Sequence, residues 1–307
     1  MKKSLVLLFF VISAGCSTFR YTEDQKKIVS SFDKGVDYLL KSQNKNGSWG
    51  SATGTTGFDV RAKIPESHDA FRVATTALGV MALKRVAQDN LLARASRESA
   101  INYLLEKVPK RATPKELYNI WAHGYAIQAL SEVAKEMQIG KKIGEIKLES
   151  ILSVINSHLD SLKKYETTMG GWNYYDFDVG AATASMEPTS FGTATIMAGL
   201  KEAHNSGVKI PGELIARGLK VLEKCRKPDG SYLYSMDWIY APNGIPNKEK
   251  GSLGRSQACN FALYLYNYIV NFEDLKKGLN KLYDLHKFLD IGLNRQWPHE
   301  SWYATSG

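Results

Sequence analysis

A short phrase that recurs along the chain constrains its fold more than any other feature of the sequence. The phrase consists of a polar residue, three further residues, a glycine, one residue and an aromatic residue. Its copies are Gln43-x-x-x-Gly47-x-Trp49, Glu166-x-x-x-Gly170-x-Trp172 and Arg226-x-x-x-Gly230-x-Tyr232. The last two rings lie 60 positions apart and the first two lie 123 apart, close to two such periods. This period predicts an internal repeat, with degenerate copies expected near residues 110 and 292.

Each copy of the phrase is predicted to end a helix. An amphipathic segment precedes each copy, and glycine supplies the backbone conformation that commonly terminates a helix. The aromatic ring is expected to cover the exposed helix end, so Trp49 and Trp172 should be largely buried. The long polar side chain at the first position can bind the unpaired terminal groups of a neighbouring helix. We therefore interpret these residues as structural.

Two kinds of predicted helix alternate along the chain. Amphipathic segments, which we call outer helices, are predicted at about 23–42, 92–107, 147–164, 211–226 and 272–290. Segments rich in small residues, which we call inner helices, are predicted at about 68–88, 114–137, 187–206 and 253–270, and Pro188 should lie in the first turn of its helix. Small or apolar residues on most sides indicate that neighbours surround an inner helix. No convincing alternating strand pattern occurs, so we predict an all-α fold.

The predicted helical hairpins must stack, because a hairpin of this size cannot bury its own apolar faces. The stack can be an open solenoid or a closed ring. Small residues on the inner helices favour the ring, since they permit the close approach that a tight inner layer requires. We expect one domain over residues 24–307, an α/α toroid of about five hairpins of which the last is incomplete.

The phrase resembles the QW motif of the squalene cyclase and protein prenyltransferase superfamily, whose fold is an α/α toroid. The stretches YNIWAHGYAIQAL (118–130), GGWNYYDFD (170–178) and GRSQACNFALY (254–264) are also similar to bacterial prenyltransferase and squalene cyclase repeat proteins. Most members of that branch have no established activity. The resemblance implies a central cavity that binds an apolar or isoprenoid-like ligand, with terpene cyclase- or transferase-like chemistry as one reading.

The catalytic motifs of that superfamily are only partly present. Its cyclases use an aspartate of a DxDD phrase, and the nearest match, Asp176 and Asp178, lacks the third carboxylate. These two residues are candidate proton donors, with a solvated or capping carboxylate pair as the alternative. Its prenyltransferases hold zinc where this chain has Glu187-x-Thr189 and Gln257, so the required thiolate and imidazole are missing. No metal and no cofactor are therefore expected.

Polar and charged residues gather on the inner helices, mostly near their predicted starts. They are candidate ligand-binding residues, namely His68, Asp69, Arg72, Trp121, His123, Glu187, Arg255 and Gln257. In a ring these clusters would converge at one end, where a ligand site is usually built. Capping explains the acidic residues, because the helix dipole favours them, but it does not explain the cations. We expect His68, His123, Glu187 and Arg255 to face a common pocket, which Trp121, Trp172, Tyr174 and Tyr175 would wall.

Two other functions stay open. In a toroid polysaccharide lyase, His123 and Tyr125, or His68, Arg72 and Arg255, would neutralise a uronate and abstract a proton. The histidines could equally be helix-terminal or packing residues. The other alternative is a noncatalytic binding or scaffold module, and the sequence does not decide whether the protein is an enzyme.

The first residues indicate export and a lipid anchor. Lys2 and Lys3 precede an apolar run over 5–12, which is too short to span a bilayer, and small residues follow it. Residues 1–15 are thus predicted to be a signal peptide, with 16–23 as a tether. The small residues before Cys16 resemble the lipobox of bacterial lipoproteins, although Ser13 stands where leucine is usual. This implies lipidation of Cys16 and a membrane-attached envelope protein of the periplasm or outer membrane.

Composition bears on the remaining partners. The net charge is +9, and the lysines and arginines are scattered without a basic stripe, so no nucleic-acid partner is predicted. Beyond Cys16 the chain has only Cys225 and Cys259, each inside an apolar helical pattern. Two buried thiols are expected there, because free cysteine is among the most buried residue types.

Overall fold

The computed structural model describes residues 22–50, 65–109, 119–173, 187–244, 247–248 and 250–287. These residues form ten α-helices and contain no strand, which confirms the all-α prediction. The helices are α1 (Glu23–Ser42), α2 (Pro65–Ala82), α3 (Val86–Asp89), α4 (Leu91–Glu106), α5 (Asn119–Gln138), α6 (Leu148–Lys164), α7 (Ser190–Asn205), α8 (Gly212–Cys225), α9 (Leu253–Leu265) and α10 (Phe272–Asp284). Two short 3-10 turns, Met236–Tyr240 and Lys250–Ser252, lie between α8 and α9.

The helices form two layers that follow the predicted alternation. The inner helices α2, α5, α7 and α9 contact one another in chain order. Each carries an outer helix, so that α4 packs on α2, α6 on α5, α8 on α7 and α10 on α9, while α1 contacts α4. The apolar core lies between the layers and within the inner layer.

Glycines allow the inner helices α5 and α7 to approach each other closely. A Cβ atom placed on Gly199 of α7 would lie 2.7 Å from the carbonyl oxygen of Gly124 in α5. A Cβ atom on Gly124 would in turn lie 2.7 Å from Cδ1 of Ile196. The small residues of the inner helices thus permit close packing between these helices, as predicted.

Ion pairs join neighbouring inner helices near their C-terminal ends. Lys84, just after α2, lies 2.9 Å from Glu132 of α5, and Lys135 of α5 pairs with Glu202 of α7. Their side chains are partly exposed, so each pair contributes little stability by itself. One such pair lies at each of these two junctions.

The three copies of the phrase adopt one backbone geometry. Gly47, Gly170 and Gly230 have φ values of +85°, +83° and +79°, in the left-handed region that favours glycine. The amide of each glycine donates to the carbonyl oxygen three residues earlier, at 2.9, 2.9 and 3.0 Å. The preceding outer helices end at Ser42, Lys164 and Cys225. Each copy therefore follows the end of an outer helix, as predicted.

The aromatic ring of each copy is buried behind the helix end. Trp49 is 5% exposed, and Trp172 and Tyr232 are fully buried, which confirms the expectation for both tryptophans. The indole nitrogens donate to helix carbonyls ten residues earlier, from Trp49 to Leu39 at 2.8 Å and from Trp172 to Leu162 at 2.9 Å. The amides of the same two tryptophans donate to Thr76 of α2 and Thr193 of α7, both at 3.0 Å. Each ring is thus fixed between an outer helix and the next described inner helix.

The first residue of the phrase binds the next outer helix. Gln43 donates to the carbonyl oxygen of Ser96 in α4 at 2.8 Å and accepts from its hydroxyl at 2.7 Å. Glu166 binds Arg217 of α8 through two contacts of 2.7 Å. Arg226 lies 3.6 Å from Asp274 of α10. We name these three contacts the tethers. The groups that they bind are side chains and one carbonyl group inside a helix. The prediction that the first residue binds unpaired terminal groups of a neighbouring helix is therefore wrong.

Several predicted boundaries change. The first inner helix stops at Ala82 and continues as the separate short helix α3, and α9 ends at Leu265 rather than 270. Left-handed residues follow α9, with φ of 51° at Asn267 and 48° at Ile269. Pro188 lies outside the first turn of α7, because Thr189 is the N-cap and accepts from the amide of Gly192. The degenerate phrases near 110 and 292 lie outside the described residues.

Two further expectations concern cysteines and membrane spans. Cys225 and Cys259 are buried free thiols, as predicted, and burial raises the pKa of Cys225 to about 12. None of the helices in the described ranges has the length and apolarity that crossing a membrane would require.

Candidate functional site

The inner helices leave a stripe of side chains uncovered on the side that faces away from the outer layer. On α5, His123 faces α6, and Trp121, Tyr125 and Gln128 lie on the opposite side at 100° per residue. We call the surface formed by these stripes the inner face. Its partly exposed or exposed residues are Phe71, Thr75 and Leu78 of α2, Trp121, Tyr125 and Gln128 of α5, Thr195 of α7, and Phe261 and Leu265 of α9.

Large apolar side chains dominate the inner face. The rings of Phe71 and Trp121 join α2 to α5, with centroids 6.0 Å apart and planes tilted by 46°. Tyr125 follows Trp121 by one turn. Leu78 and Phe261 are 44% and 46% exposed, although about half of the described residues of their helices are buried. A cluster of exposed apolar residues of this kind is typical of a surface that binds a ligand or another protein.

Along α5 the inner face changes from aromatic to charged side chains. Phe71 and Trp121 lie in the first halves of their helices. Glu132 and Glu202 continue the stripes of α5 and α7 toward the C-terminal ends, where both form the ion pairs described above. A ligand on this face would therefore meet apolar side chains at one end and paired charges at the other.

His123 does not face a pocket, contrary to the expectation. It is fully buried, and its Nδ1 atom lies 2.9 Å from Nδ1 of His158 in α6. The ring of Tyr165 lies 5.7 Å away. The reason is that His158 belongs to the buried stripe Ile151, Ile155, Leu159 and Leu162 of α6, which packs on α5.

The two histidines are held neutral. Burial lowers the pKa of His158 to about 3. Burial, with repulsion from His158 as a smaller cause, holds the pKa of His123 well below its ordinary value. In a neutral pair one Nδ1–H donates and the other Nδ1 accepts, so the contact requires different tautomers. The Nε2 atoms of both rings lack a hydrogen-bond partner within the described part of the chain.

Arg255 and Gln257 also turn away from the inner face. Arg255 is fully buried, its Nε donates to the carbonyl oxygen of Tyr232 at 3.1 Å, and its guanidinium carbon lies 5.4 Å from the ring centre of Tyr234. Because this side chain supports the third phrase, we expect Arg255→Ala to destabilise the fold. Gln257 faces α10, where its Oε1 would lie 2.3 Å from a Cβ on Gly278.

Among the remaining candidates, Arg72 and Asp69 form an ion pair on α2. Arg72 is 3.7 Å from Asp69, and these side chains are 15% and 54% exposed. Glu187 is partly exposed, just ahead of the N-cap of α7. The described part of the structure does not include the side chain of His68 or the residues Cys16, Tyr174, Tyr175, Asp176 and Asp178. Of the predicted site residues, Trp121 and Tyr125 lie on the inner face, whereas Trp172 is buried in the repeat.

Some structurally important residues carried a weak sequence signal. His158 falls on the apolar stripe of its helix, so the helical pattern does place it in the core. Thr76 and Thr193, which accept from the amides of Trp49 and Trp172, carry no such signal. They follow their tryptophans by 27 and 21 residues, because the loops between them differ in length.

Neither metal ligation nor comparison with known proteins identifies the site. Within the ranges described above, no three His, Cys, Asp or Glu side chains are grouped so as to hold a metal ion. No protein-family model matches the chain, and neither a curated protein nor a solved structure is significantly similar to it.

Proposed function

We propose that this protein is a lipid-anchored α/α toroid of the bacterial cell envelope whose inner face binds an apolar ligand. The observation that carries the proposal is the inner face itself. Its exposed aromatic and aliphatic side chains lie on helices whose opposite sides pack in the core, and covering them would gain roughly 25 cal/mol for each Å² removed from water.

The composition of the inner face fits a ligand with a long apolar body. Phe71, Trp121 and Tyr125 offer flat apolar surfaces, and the amide of Gln128 follows Tyr125 on the same stripe of α5. Ligand sites commonly combine apolar walls with a few polar groups that orient the ligand. An isoprenoid or acyl chain has the shape and polarity that this surface would bind.

Binding without chemistry is the reading that we favour. The described acidic residues of the inner face, Glu132 and Glu202, are occupied by ion pairs with lysines. The lyase reading loses one candidate base, because His123 is buried against α6 and cannot reach a sugar on the inner face, which leaves Tyr125 as its candidate there. Cyclase-like chemistry would depend on Asp176 and Asp178, which lie outside the described residues.

The lipid anchor is proposed from the first residues of the sequence alone. The apolar run over 5–12, the small residues after it and Cys16 support export and lipidation. Anchoring would keep the inner face near the source of an apolar ligand, since lipids partition into the membrane.

Titration with a long-chain isoprenoid alcohol tests the proposal. We expect quenching or a shift of tryptophan fluorescence, because Trp121 lies on the inner face. Tyr125→Ser should raise the dissociation constant about tenfold, which corresponds to roughly 1.4 kcal/mol of lost binding free energy. The matched control is Tyr38→Ser, since Tyr38 is exposed on α1, away from the inner face.

A protein-binding scaffold is the competing function, and the exposure of Leu78 and Phe261 on two inner helices also fits it. The proposal would be contradicted if the alcohol bound with equal affinity to Tyr125→Ser, Tyr38→Ser and the unchanged protein. Absence of any binding would favour the scaffold.

A further inference from the structure

A cleft of about 400 Å³ lies between the first two repeats, apart from the aromatic part of the inner face. It is bounded by α3, by the first half of α4 and by the C-terminal end of α5 with the turn that follows. Its size lies within the range of small-molecule sites. None of the residues that line it belongs to the recurring phrase or to the predicted ligand site.

The lining of the cleft carries a surplus of positive charge. Its cations are Lys84, Arg94, Arg97, Lys141 and Lys142, and its carboxylates are Glu98 and Glu136. Lys84 pairs at 2.9 Å with Glu132, which lies outside the lining. The five cations are thus opposed by three carboxylates, those of Glu98, Glu136 and Glu132, and two positive charges remain uncompensated.

A buried ion pair forms the fixed part of the cleft. The Nη2 and Nη1 atoms of Arg97 donate to the carboxylate of Glu136 at 2.7 and 3.2 Å, and its Nε donates to the carbonyl oxygen of Val80 at 3.0 Å. Both side chains are less than a tenth exposed. Such a bidentate pair holds its geometry but neutralises its own charge. The surplus charge therefore belongs to Arg94, Lys141 and Lys142, against which the lining sets only the carboxylate of Glu98.

Arg94 and Lys142 supply that charge. Arg94 donates from Nε to the carbonyl oxygen of Ala87 at 3.1 Å and from Nη2 to that of Gln88 at 2.7 Å. These bonds orient the guanidinium and leave other N–H groups uncommitted. Within the described residues, Arg94 and Lys142 form no ion pair, whereas Lys141 lies 3.8 Å from Glu136.

We infer that this cleft binds a phosphate-bearing small molecule through Arg94 and Lys142. A phosphate monoester carries about −1.5 to −2 charges at neutral pH, which balances the surplus, and arginine and lysine are its usual protein partners. A lipid headgroup and a soluble phosphorylated compound share this chemistry. The inference does not depend on the ligand of the inner face.

Binding of sn-glycerol 3-phosphate, measured by calorimetry at low salt, tests this inference. The double variant Arg94→Gln/Lys142→Gln should raise the dissociation constant at least tenfold. The control Lys34→Gln/Lys41→Gln removes two charges from exposed positions on α1 and should change it less than twofold. Because Arg94 also binds carbonyls of α3, Lys141→Gln/Lys142→Gln provides a second test that leaves those bonds intact.

Vesicles distinguish the two sources of phosphate. With Cys16→Ala in every chain, sedimentation with phosphatidylglycerol vesicles, compared with phosphatidylcholine vesicles, reports on a lipid headgroup. Binding to either the soluble probe or the anionic vesicles, lost in the cleft variants and kept in the α1 control, supports the site. Failure to bind either probe, or an equal loss of binding in the α1 control, would overturn it.

Discussion

Trp172 shows how a single side chain serves two layers. Its ring is fully buried, its indole nitrogen binds the end of α6, and its amide binds Thr193 of α7. The ring therefore contributes apolar burial and also satisfies a carbonyl group at a helix end. Trp49 and Thr76 repeat the arrangement in the first hairpin.

Truncation of Trp172 should be severely destabilising. We expect Trp172→Ala to lower the free energy of unfolding by about 3 to 5 kcal/mol, as for other large-to-small core substitutions. Chemical denaturation followed by circular dichroism measures this value. Tyr240→Ala is the control, because Tyr240 is 94% exposed. A loss below about 1 kcal/mol for Trp172→Ala would show that the ring is not a core element.

Because of the pair of His123 and His158, the stability of the folded protein should decrease at acidic pH. Both pKa values are lowered in the folded protein, so the unfolded chain binds protons more readily below its ordinary histidine pKa of about 6.5. Stability is complete above that pH and falls as the pH drops toward 3, the folded value for His158. At pH 5 the loss is on the order of 2 kcal/mol for each of the two histidines.

Unfolding free energies at pH 7.5 and pH 5 test this linkage. His158→Gln should lose less stability on acidification than the unchanged protein, although its stability at pH 7.5 will be lower. His204→Gln serves as the control, because His204 is exposed at the end of α7. If all three proteins lose the same stability between the two pH values, the histidine pair is not the acid-sensitive element.

Among the helices, the contact between α5 and α7 depends most directly on the absence of side chains. Gly124 and Gly199 meet there, and neither position has room for a Cβ atom. Alanine is the better helix former by about 1 kcal/mol, but overpacking a close contact typically costs 1 to 3 kcal/mol and leaves a net loss.

Gly199→Ala should therefore destabilise the protein, while Gly35→Ala should not. Gly35 lies within α1 with nothing within 4 Å of its Cβ position, so its replacement should raise stability by up to about 1 kcal/mol. Thermal unfolding of the two variants compares them directly. Stabilisation by both substitutions would mean that α5 and α7 are not in backbone contact.

The sequence predicted the helices well because their signals are local. The glycine of each phrase, the amphipathic outer pattern and the small inner residues all lie within one or two turns of the feature that they determine. The tethers and the pairing of His123 with His158 depend on tertiary distances, which a single sequence does not contain. For the site, Trp121 and Tyr125 were identified, whereas Arg255 and Gln257 were assigned to a pocket because polarity alone does not tell which way a side chain turns.

At the scale of the whole molecule, membrane attachment is expected to depend on Cys16. Replacing Cys16 with Ala should release the protein into the soluble fraction of cells, because a lipid anchor is the proposed attachment. Fractionation and detection of the protein measure this, and Ser17→Ala is the neighbouring control. Continued dependence of the Cys16→Ala protein on detergent would contradict the anchor.

The inner face and the cleft should act as independent sites. The aromatic residues that α2 and α5 contribute to the inner face lie in the first halves of these helices, whereas the cleft lies at their opposite ends. Substitutions in separate sites that share no partner usually add in their effects. Loss of one ligand should therefore leave the affinity for the other unchanged.

The direction of the tethers has a consequence for synthesis. Each tether runs from a residue earlier in the chain to an outer helix that follows it, from Gln43 to α4, from Glu166 to α8 and from Arg226 to α10. A protein chain leaves the ribosome from its N-terminus, and its earlier parts can fold first. Each newly made outer helix thus finds its binding partner already in place, and the chain can assemble in the order in which it is translated.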